Sequence, residues 1–309
     1  MQELSRHCHR AVGAECRIRL LGWCQGKTIT SFFPDEIYLL IFLDIVTMLR
    51  AIIKNKKIEL DTKKKKHPLK EIQKECFEFL NKNNPKDYHR SFKSAIVDGK
   101  SVGLIAEIKL ASPSTGKLTE ISCTDVAKKY NKSKADVISV LTDEKYFNGH
   151  LSYLRKVREI CHQPIFRKDF IVDSYQIYET ALHGADAFLL IASVLTLDEM
   201  KQLIQLGKEV GLECLVETHD ENDVEKAIQT SAEIIGINNR DLKTMKTDLG
   251  TTERLMKSIS GDRIVISESG INNRDDVERM IGLGVKGVLV GTSIIKSENM
   301  IDKINSLKE

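Results

Sequence analysis

The sequence has almost no net charge. Its 47 lysines and arginines face 44 aspartates and glutamates, leaving +3 over 309 residues. The overall field offers nothing to nucleic acid or to an acidic membrane, and neither is expected as a partner. A cysteine framework is also missing. Seven cysteines are an odd number, lie scattered and form no CxxC pair, which argues for free thiols in a reducing compartment and hence a cytoplasmic location. His7-Cys8-His9 with Cys16 and Cys24 fits no zinc-module spacing. The apolar run Ile37 to Leu49 is too short for a membrane span and contains Asp44; it reads as a surface or partner-binding helix, or as a buried flap. Nothing before it has the ordered charged, apolar and small-residue regions of a secretory signal. No GxGxxG motif follows the first strand-like run. No carboxylates or histidines cluster at metal-ligand spacing, so no metal is expected.

What is there is an ordinary globular balance, 41% hydrophobic and 29% charged, enough for one large core. Residues 1–47 stand apart as an N-terminal extension that holds the only tryptophan and shows no clear periodicity. From Met48 to about Lys100 the pattern is helical, with Leu49, Ile52, Ile53 and Ile58 recurring at near-helical spacing between lysines. The run Lys63 to Lys66 reads as a solvated helix face or a helix end rather than a nucleic-acid contact, because no aromatic residues interleave with it. Asn83-Asn84-Pro85 then breaks the pattern.

Beyond Gly103 the rhythm becomes regular. Short apolar, β-branched runs occur at Leu104–Ile108, Val137–Leu141, Pro164–Phe166, Ala187–Ile191, Glu213–Val216, Ile234–Ile237, Arg263–Ser267 and Gly287–Val290. Amphipathic stretches such as Thr196–Val210 and Asn272–Leu283 separate them. Apolar runs without polar alternation point to strands buried on both faces, hence a parallel sheet. Gly184, Gly211 and Gly284 sit where helices should end in a left-handed cap. This arithmetic predicts an α/β fold, a (β/α)8 TIM barrel with additional N-terminal helices, within a catalytic unit of residues 48–309. A doubly wound open sheet is the alternative, weakened by the missing glycine fingerprint.

In such a barrel, chemistry sits where strands pass into the following loops. Polar residues gather there: Glu107 and Lys109, then Ser112, after the first run; Arg167-Lys168-Asp169-Phe170 after the third; Glu217 after the fifth; Asn238-Asn239-Arg240 after the sixth; Glu268-Ser269-Gly270 after the seventh; and Gly291-Thr292-Ser293 after the eighth. Any one of them reads most simply as the first solvated residue of a loop. Jointly, two lysines and three glutamates on one rim would couple their protonation states. Lys109 facing Lys168 would depress both ammonium groups and help one act as a general acid. Glu107, two residues before Lys109, points to the same side of its strand and can hold it. Ser269-Gly270 and Gly291-Thr292-Ser293 would expose backbone N–H groups beside helix N-termini and form a phosphate cradle.

With these residues laid out, the sequence resembles the indole-3-glycerol-phosphate synthase family. The resemblance rests on IAEIKLASPSTG (105–116), LTDEKYFNGHL (141–151), FRKDFIVDSYQI (166–177), LVETHDENDVEKA (215–227), IGINNRDLKT (235–244), SESGINNRDDV (267–277) and VLVGTSII (288–295). Met48 to Ile72 is weakly similar to the family's N-terminal helices, which cover the barrel floor. Leu110 departs from the basic residue that members often carry. The resemblance implies cyclisation of 1-(2-carboxyphenylamino)-1-deoxyribulose 5-phosphate to indole-3-glycerol phosphate, with loss of CO2 and water and no cofactor, as a step of tryptophan biosynthesis. It implies Lys168 as the acid that protonates the ketone oxygen, and Lys109 as the carboxylate anchor and a proton donor in dehydration. It implies Glu217 as the dehydration base, with Glu107 ordering the lysines and sharing acid-base work, and Asn238 as a substrate hydrogen-bonding residue. Arg240 and Glu268 would order the network; Ser112, Ser269, Gly270, Gly291 and Thr292 would hold the phosphate; Phe147 and Phe170 would wall a slot for the aniline ring, where the core reading, usually the better one for a lone phenylalanine, is only about even because both sit beside rim motifs. Beyond this phosphorylated small molecule, other tryptophan-pathway enzymes are conceivable partners that the residues do not identify. The rival readings are a Schiff-base aldolase with Lys168 as nucleophile and a non-catalytic scaffold barrel.

Overall fold

The computed structural model describes residues 34–309, apart from 84–87, 100, 114, 242–245 and 260, with side chains from residue 48 onward. The expectations for residues 1–33 and for the side chains up to Thr47 lie outside the described residues. Eight parallel strands close into a barrel: β1 (Gly103–Ile108), β2 (Val137–Leu141), β3 (Ile165–Lys168), β4 (Ala187–Ile191), β5 (Glu213–Thr218), β6 (Ile234–Asn238), β7 (Ile264–Glu268) and β8 (Gly287–Val290). Each pairs with its neighbours in sequence, and β1 closes on β8 with Gly103 opposite Gly287 and Ala106 opposite Val290. Helices follow every strand, the last being Met300–Lys308. The closed order excludes the open doubly wound sheet.

The closure follows from which face each residue takes. Ile105, Phe166, Leu189, Leu215, Ile234, Ile266 and Leu289 fill the interior, while their sequence neighbours, such as Leu104, Ala106 and Val288, pack outward beneath the helices. Both faces are buried, so the strands read as unbroken apolar runs. Gly184, Gly211 and Gly284 adopt φ of +78°, +81° and +87°, the left-handed turns expected where helices end. β3, β5 and β7 each run one or two residues further than their apolar stretches, because the ladder hydrogen bonds continue after the side chains turn polar.

Among the described residues, three helices precede the barrel: α1 (Pro34–Lys66), α2 (Leu69–Lys82) and α3 (Phe92–Val97). The expectation that the stretch from Met48 covers the floor is corrected. Lys56 of α1 meets Asp143 and Asp169, which follow the C-terminal ends of β2 and β3, so α1 crosses the mouth. The floor belongs to α3, whose Phe92 stacks on Phe166 at 5.3 Å between ring centroids and whose Ile96 joins the interior cluster. Ile72, Cys76 and Leu80 of α2 pack with Tyr175 and Tyr178 on the flank. The lysine run ends α1, where positive charge complements the helix dipole; Lys63 pairs with Glu179 and Lys64 with Asp173, each at 2.6 Å. Among the described residues no helix is long and apolar enough to cross a membrane.

Candidate active site

Interior parity decides what reaches the mouth. Phe166 points inward, so Lys168 does too, two residues on; the same step carries Leu215 to Glu217 and Ile266 to Glu268. Arg167 and Asp169 take the opposite parity. Arg167 is 2% exposed and donates to the Gln176 carbonyl at 2.9 Å and to Thr180 at 3.0 Å, serving the packing of β3 against its helix.

A cavity of about 410 Å³ opens at this end, of the size that small-molecule sites occupy. Every candidate residue lines it: Glu107, Lys109, Ser112, Phe147, Lys168, Phe170, Glu217, Asn238, Arg240, Glu268, Ser269, Gly270, Gly291 and Thr292. Met48, Leu49 and Ile52 of α1 line it as well. Periodicity marked them as helical but gave no sign that they face a site.

At the centre, the Lys168 ammonium donates to Glu217 Oε2 at 3.0 Å and to Glu268 Oε2 at close range. Burial works against the Lys168 ammonium, but Glu217, Glu268 and Glu107 outweigh it and hold it well above the usual lysine range. The expectation of mutual depression by Lys109 is therefore corrected for Lys168: the nearest charges are carboxylates. Lys109 instead pairs with Glu107 Oε1 at 2.9 Å, as the two-residue spacing predicts. Burial opposes ionisation of Glu107, yet Lys109 and Lys168 keep it below the usual carboxylate range.

The other two carboxylates are driven apart. Glu217 is buried, but Lys168 and His219 hold it well below the ordinary range. Burial pushes Glu268 up to about 7 against the pull of Lys168, with Glu217 and Glu107 adding to the rise. Its Oε1 is buried without a hydrogen-bond partner, which suits a carboxyl group that ionises reluctantly. His219 escaped sequence reasoning. Its Nε2 lies 3.2 Å from Glu217 Oε1 and its Nδ1 3.4 Å from Asp223 Oδ2, although neither N–H points squarely at its oxygen. The signal was available: two residues beyond Glu217, it has the same inward parity.

The small residues have steric reasons. A Cβ on Gly291, just after β8, would come 2.5 Å from Glu107 Oε1, so a side chain there would displace the carboxylate that holds Lys109. Ser269 and Gly270 are both left-handed, with φ of +66° and +89°. A buried network enforces the Ser269 conformation. The Asn239 side-chain amide donates to the Ser269 carbonyl at 3.0 Å and to Ser267 at 2.8 Å, while its oxygen accepts from Thr252 N and Oγ1. Ser293 Oγ donates to the Ile271 carbonyl at 3.0 Å and ties the loops after β7 and β8 together. Among the described residues no three His, Cys, Asp or Glu side chains converge to hold a metal ion.

The family model for indole-3-glycerol phosphate synthase matches residues 49–307. An indole-3-glycerol phosphate synthase of Caldanaerobacter subterraneus is 44% identical over 252 residues, covering 81% of this chain and 94% of the relative. Another, of Desulfosudis oleivorans, is 46% identical over 206 residues, 66% of this chain and 78% of the relative. Among solved structures, 3-hexulose-6-phosphate synthase from Salmonella typhimurium superposes with a TM-score of 0.54 at 15% identity, over 67% of this chain and 96% of that one. That last likeness is one of fold alone.

Proposed function

The chain belongs to the indole-3-glycerol phosphate synthase family, and from that premise we propose how its barrel mouth divides the reaction. The enzyme is a decarboxylating lyase of tryptophan biosynthesis. It closes 1-(2-carboxyphenylamino)-1-deoxy-D-ribulose 5-phosphate to indole-3-glycerol phosphate, releasing CO2 and water.

In the first stage the ring carbon bearing the carboxylate attacks the ketone carbon, and the ketone oxygen gains a proton. Lys168 supplies it. Its flanking carboxylates keep the ammonium fully charged at working pH, and the developing alkoxide is basic enough to accept the proton. The C–CO2 bond then breaks, and its electron pair restores the aromatic ring. Lys109 holds the substrate carboxylate until that point and is itself held by Glu107.

In the second stage the new hydroxyl leaves as water. Lys109 protonates it, and Glu217, kept ionised by Lys168 and His219, takes the proton from the adjacent carbon. Glu107 shares this acid-base work. Asn238 accepts from Arg240 N at 3.1 Å through Oδ1, which leaves its NH2 group as the donor to substrate. Glu268 and Arg240 order the network. Ser112, Ser269, Gly270, Gly291 and Thr292 receive the phosphate, and Phe147 and Phe170, with centroids 6.1 Å apart, wall the aniline slot. No metal or cofactor enters this scheme.

The observation that best supports this reading is that the two lysines and three glutamates open onto one cavity with Lys168 at their centre. A Schiff-base aldolase would need a neutral lysine, the opposite of what three carboxylates enforce. The test is indole fluorescence on mixing protein with the substrate in metal-free buffer: a rise that Lys168→Ala abolishes supports the assignment, and a rise that survives the substitution refutes it. Cytoplasmic action is part of the reading, supported by the unpaired thiols of Cys76, Cys123, Cys161 and Cys214. Residues 1–47 are read as an N-terminal extension, joined to the catalytic unit by α1, which runs unbroken across the boundary.

A further inference from the structure

A buried ion cluster at the rim is left unused by the chemistry above. Lys56 of α1 lies 3.0 Å from Asp143 Oδ2, 3.1 Å from Asp169 Oδ1 and 3.1 Å from Glu59 of its own helix. Its side chain is 7% exposed and those of the two aspartates 0% and 2%. Burial works against the ammonium, but Asp169 and Asp143 outweigh it and hold it above the usual lysine range. Burying three charges for stability alone is a poor use of them, since apolar replacements often serve as well.

The remaining bonds of the two aspartates show what the cluster positions. Asp143 caps the short helix Glu144–Phe147, accepting from Tyr146 N at 2.8 Å, and Phe147 is the last residue of that helix. Asp169 Oδ1, the atom that Lys56 touches, also accepts from Phe170 N at 2.8 Å. Its other oxygen takes Thr142 Oγ1 at 2.6 Å and Arg167 at 2.9 Å. One ammonium thus joins the two carboxylates that fix the backbone at Phe147 and Phe170. On the same helix, Ile52 one turn earlier and Met48 and Leu49 two turns earlier line the cavity.

We propose that Lys56 is a positioning residue for the aniline half of the substrate, setting the spacing of Phe147 and Phe170 from the N-terminal helix and seating that helix over the slot. This rests on reading the two phenylalanines as the walls of that slot.

The experiment compares two fragment inhibitors, 2-aminobenzoate for the aniline end and inorganic phosphate for the other, in wild type, Phe170→Ala and Lys56→Met. In wild type both compete with substrate. Phe170→Ala is expected to weaken 2-aminobenzoate, and Lys56→Met to weaken it about tenfold and raise KM similarly, with kcat and phosphate inhibition changed less than about threefold. If 2-aminobenzoate does not compete in wild type, or if Phe170→Ala leaves it unchanged, the slot reading fails and takes the proposal with it. If Phe170→Ala weakens it and Lys56→Met does not, the slot stands and Lys56 has no positioning role. A lowered Tm with unchanged inhibition by both fragments is the mark of mere stability and also overturns the proposal. Should Lys56→Met not fold, Asp143→Asn, which cuts the link to Phe147 alone, is judged by the same inhibition pattern.

Discussion

Lys168 on β3 donates directly to Glu217 on β5, 3.0 Å across the barrel mouth. The proposed acid and the proposed base are hydrogen-bonded to each other before substrate arrives. Each stabilises the charged form the other needs, so the site rests with its proton on the lysine and its carboxylate ionised. The substrate ketone must then draw Lys168 away from Glu217, which separates the two roles in space as well as in time.

Lys168→Ala should lower kcat by about 100- to 10,000-fold, the scale of a lost general acid, while KM changes less than about fivefold. Steady-state indole fluorescence measures both. Turnover within tenfold of wild type would remove Lys168 from the acid role. Because Glu217 and Glu268 lose their shared cation, retained folding by circular dichroism must be checked alongside.

Glu217→Gln should uncouple the two stages. Ring closure and CO2 release need the proton from Lys168, whereas dehydration needs the base. In a single turnover, CO2 should appear at least about tenfold faster than indole fluorescence. Equal slowing of the two signals would mean that Glu217 acts before decarboxylation.

His219 links stability to pH. Burial opposes its charge, but Asp223 and Glu217 raise it to about 9, above its ordinary unfolded value. The sign is that of a raised group: its contribution is fully present below about pH 6.5 and is lost as pH rises through about 9, with a ceiling of about 3 kcal/mol. Urea denaturation of wild type and His219→Asn should therefore differ most at pH 6 and converge by pH 10. A gap that stays constant across that range would show that His219 does not change its charge state there.

Inorganic phosphate should compete with substrate, and Asn239→Ala should weaken that competition about tenfold, a loss of about 1.4 kcal/mol, by freeing the left-handed Ser269. Apparent KM against phosphate concentration reads both. An unaltered phosphate inhibition constant in Asn239→Ala would show that the turn holds its shape without the amide. Failure of high phosphate to raise KM in wild type would count against the cradle itself.

Much of the site was legible because polar residues interrupt the apolar runs at their C-terminal ends, and in a parallel barrel those ends share one face. Glu107 and Lys109 were paired correctly from spacing alone, since two residues on a strand return to the same side. Charge surroundings were not legible in this way. Residue type alone sets Lys168 against Lys109, whereas closure brings Glu217 and Glu268 to it from strands 49 and 100 residues further along the chain. The N-terminal helix is a second example. Its periodicity announces a helix with an apolar stripe, but not which end of the barrel the stripe covers; the buried contacts of Lys56 with Asp143 and Asp169 decide that.

By itself, then, the order of amino acids determined the strand-and-helix alternation, the barrel closure it implies and the polar residues at the strand ends, because periodicity and residue type are local properties of the chain. Only the tertiary structure decided which charges neighbour which, that Asn239 imposes the turn at Ser269, and that α1 roofs the site. Those depend on distances between segments far apart in sequence, and Coulombic and steric effects act through distance in space.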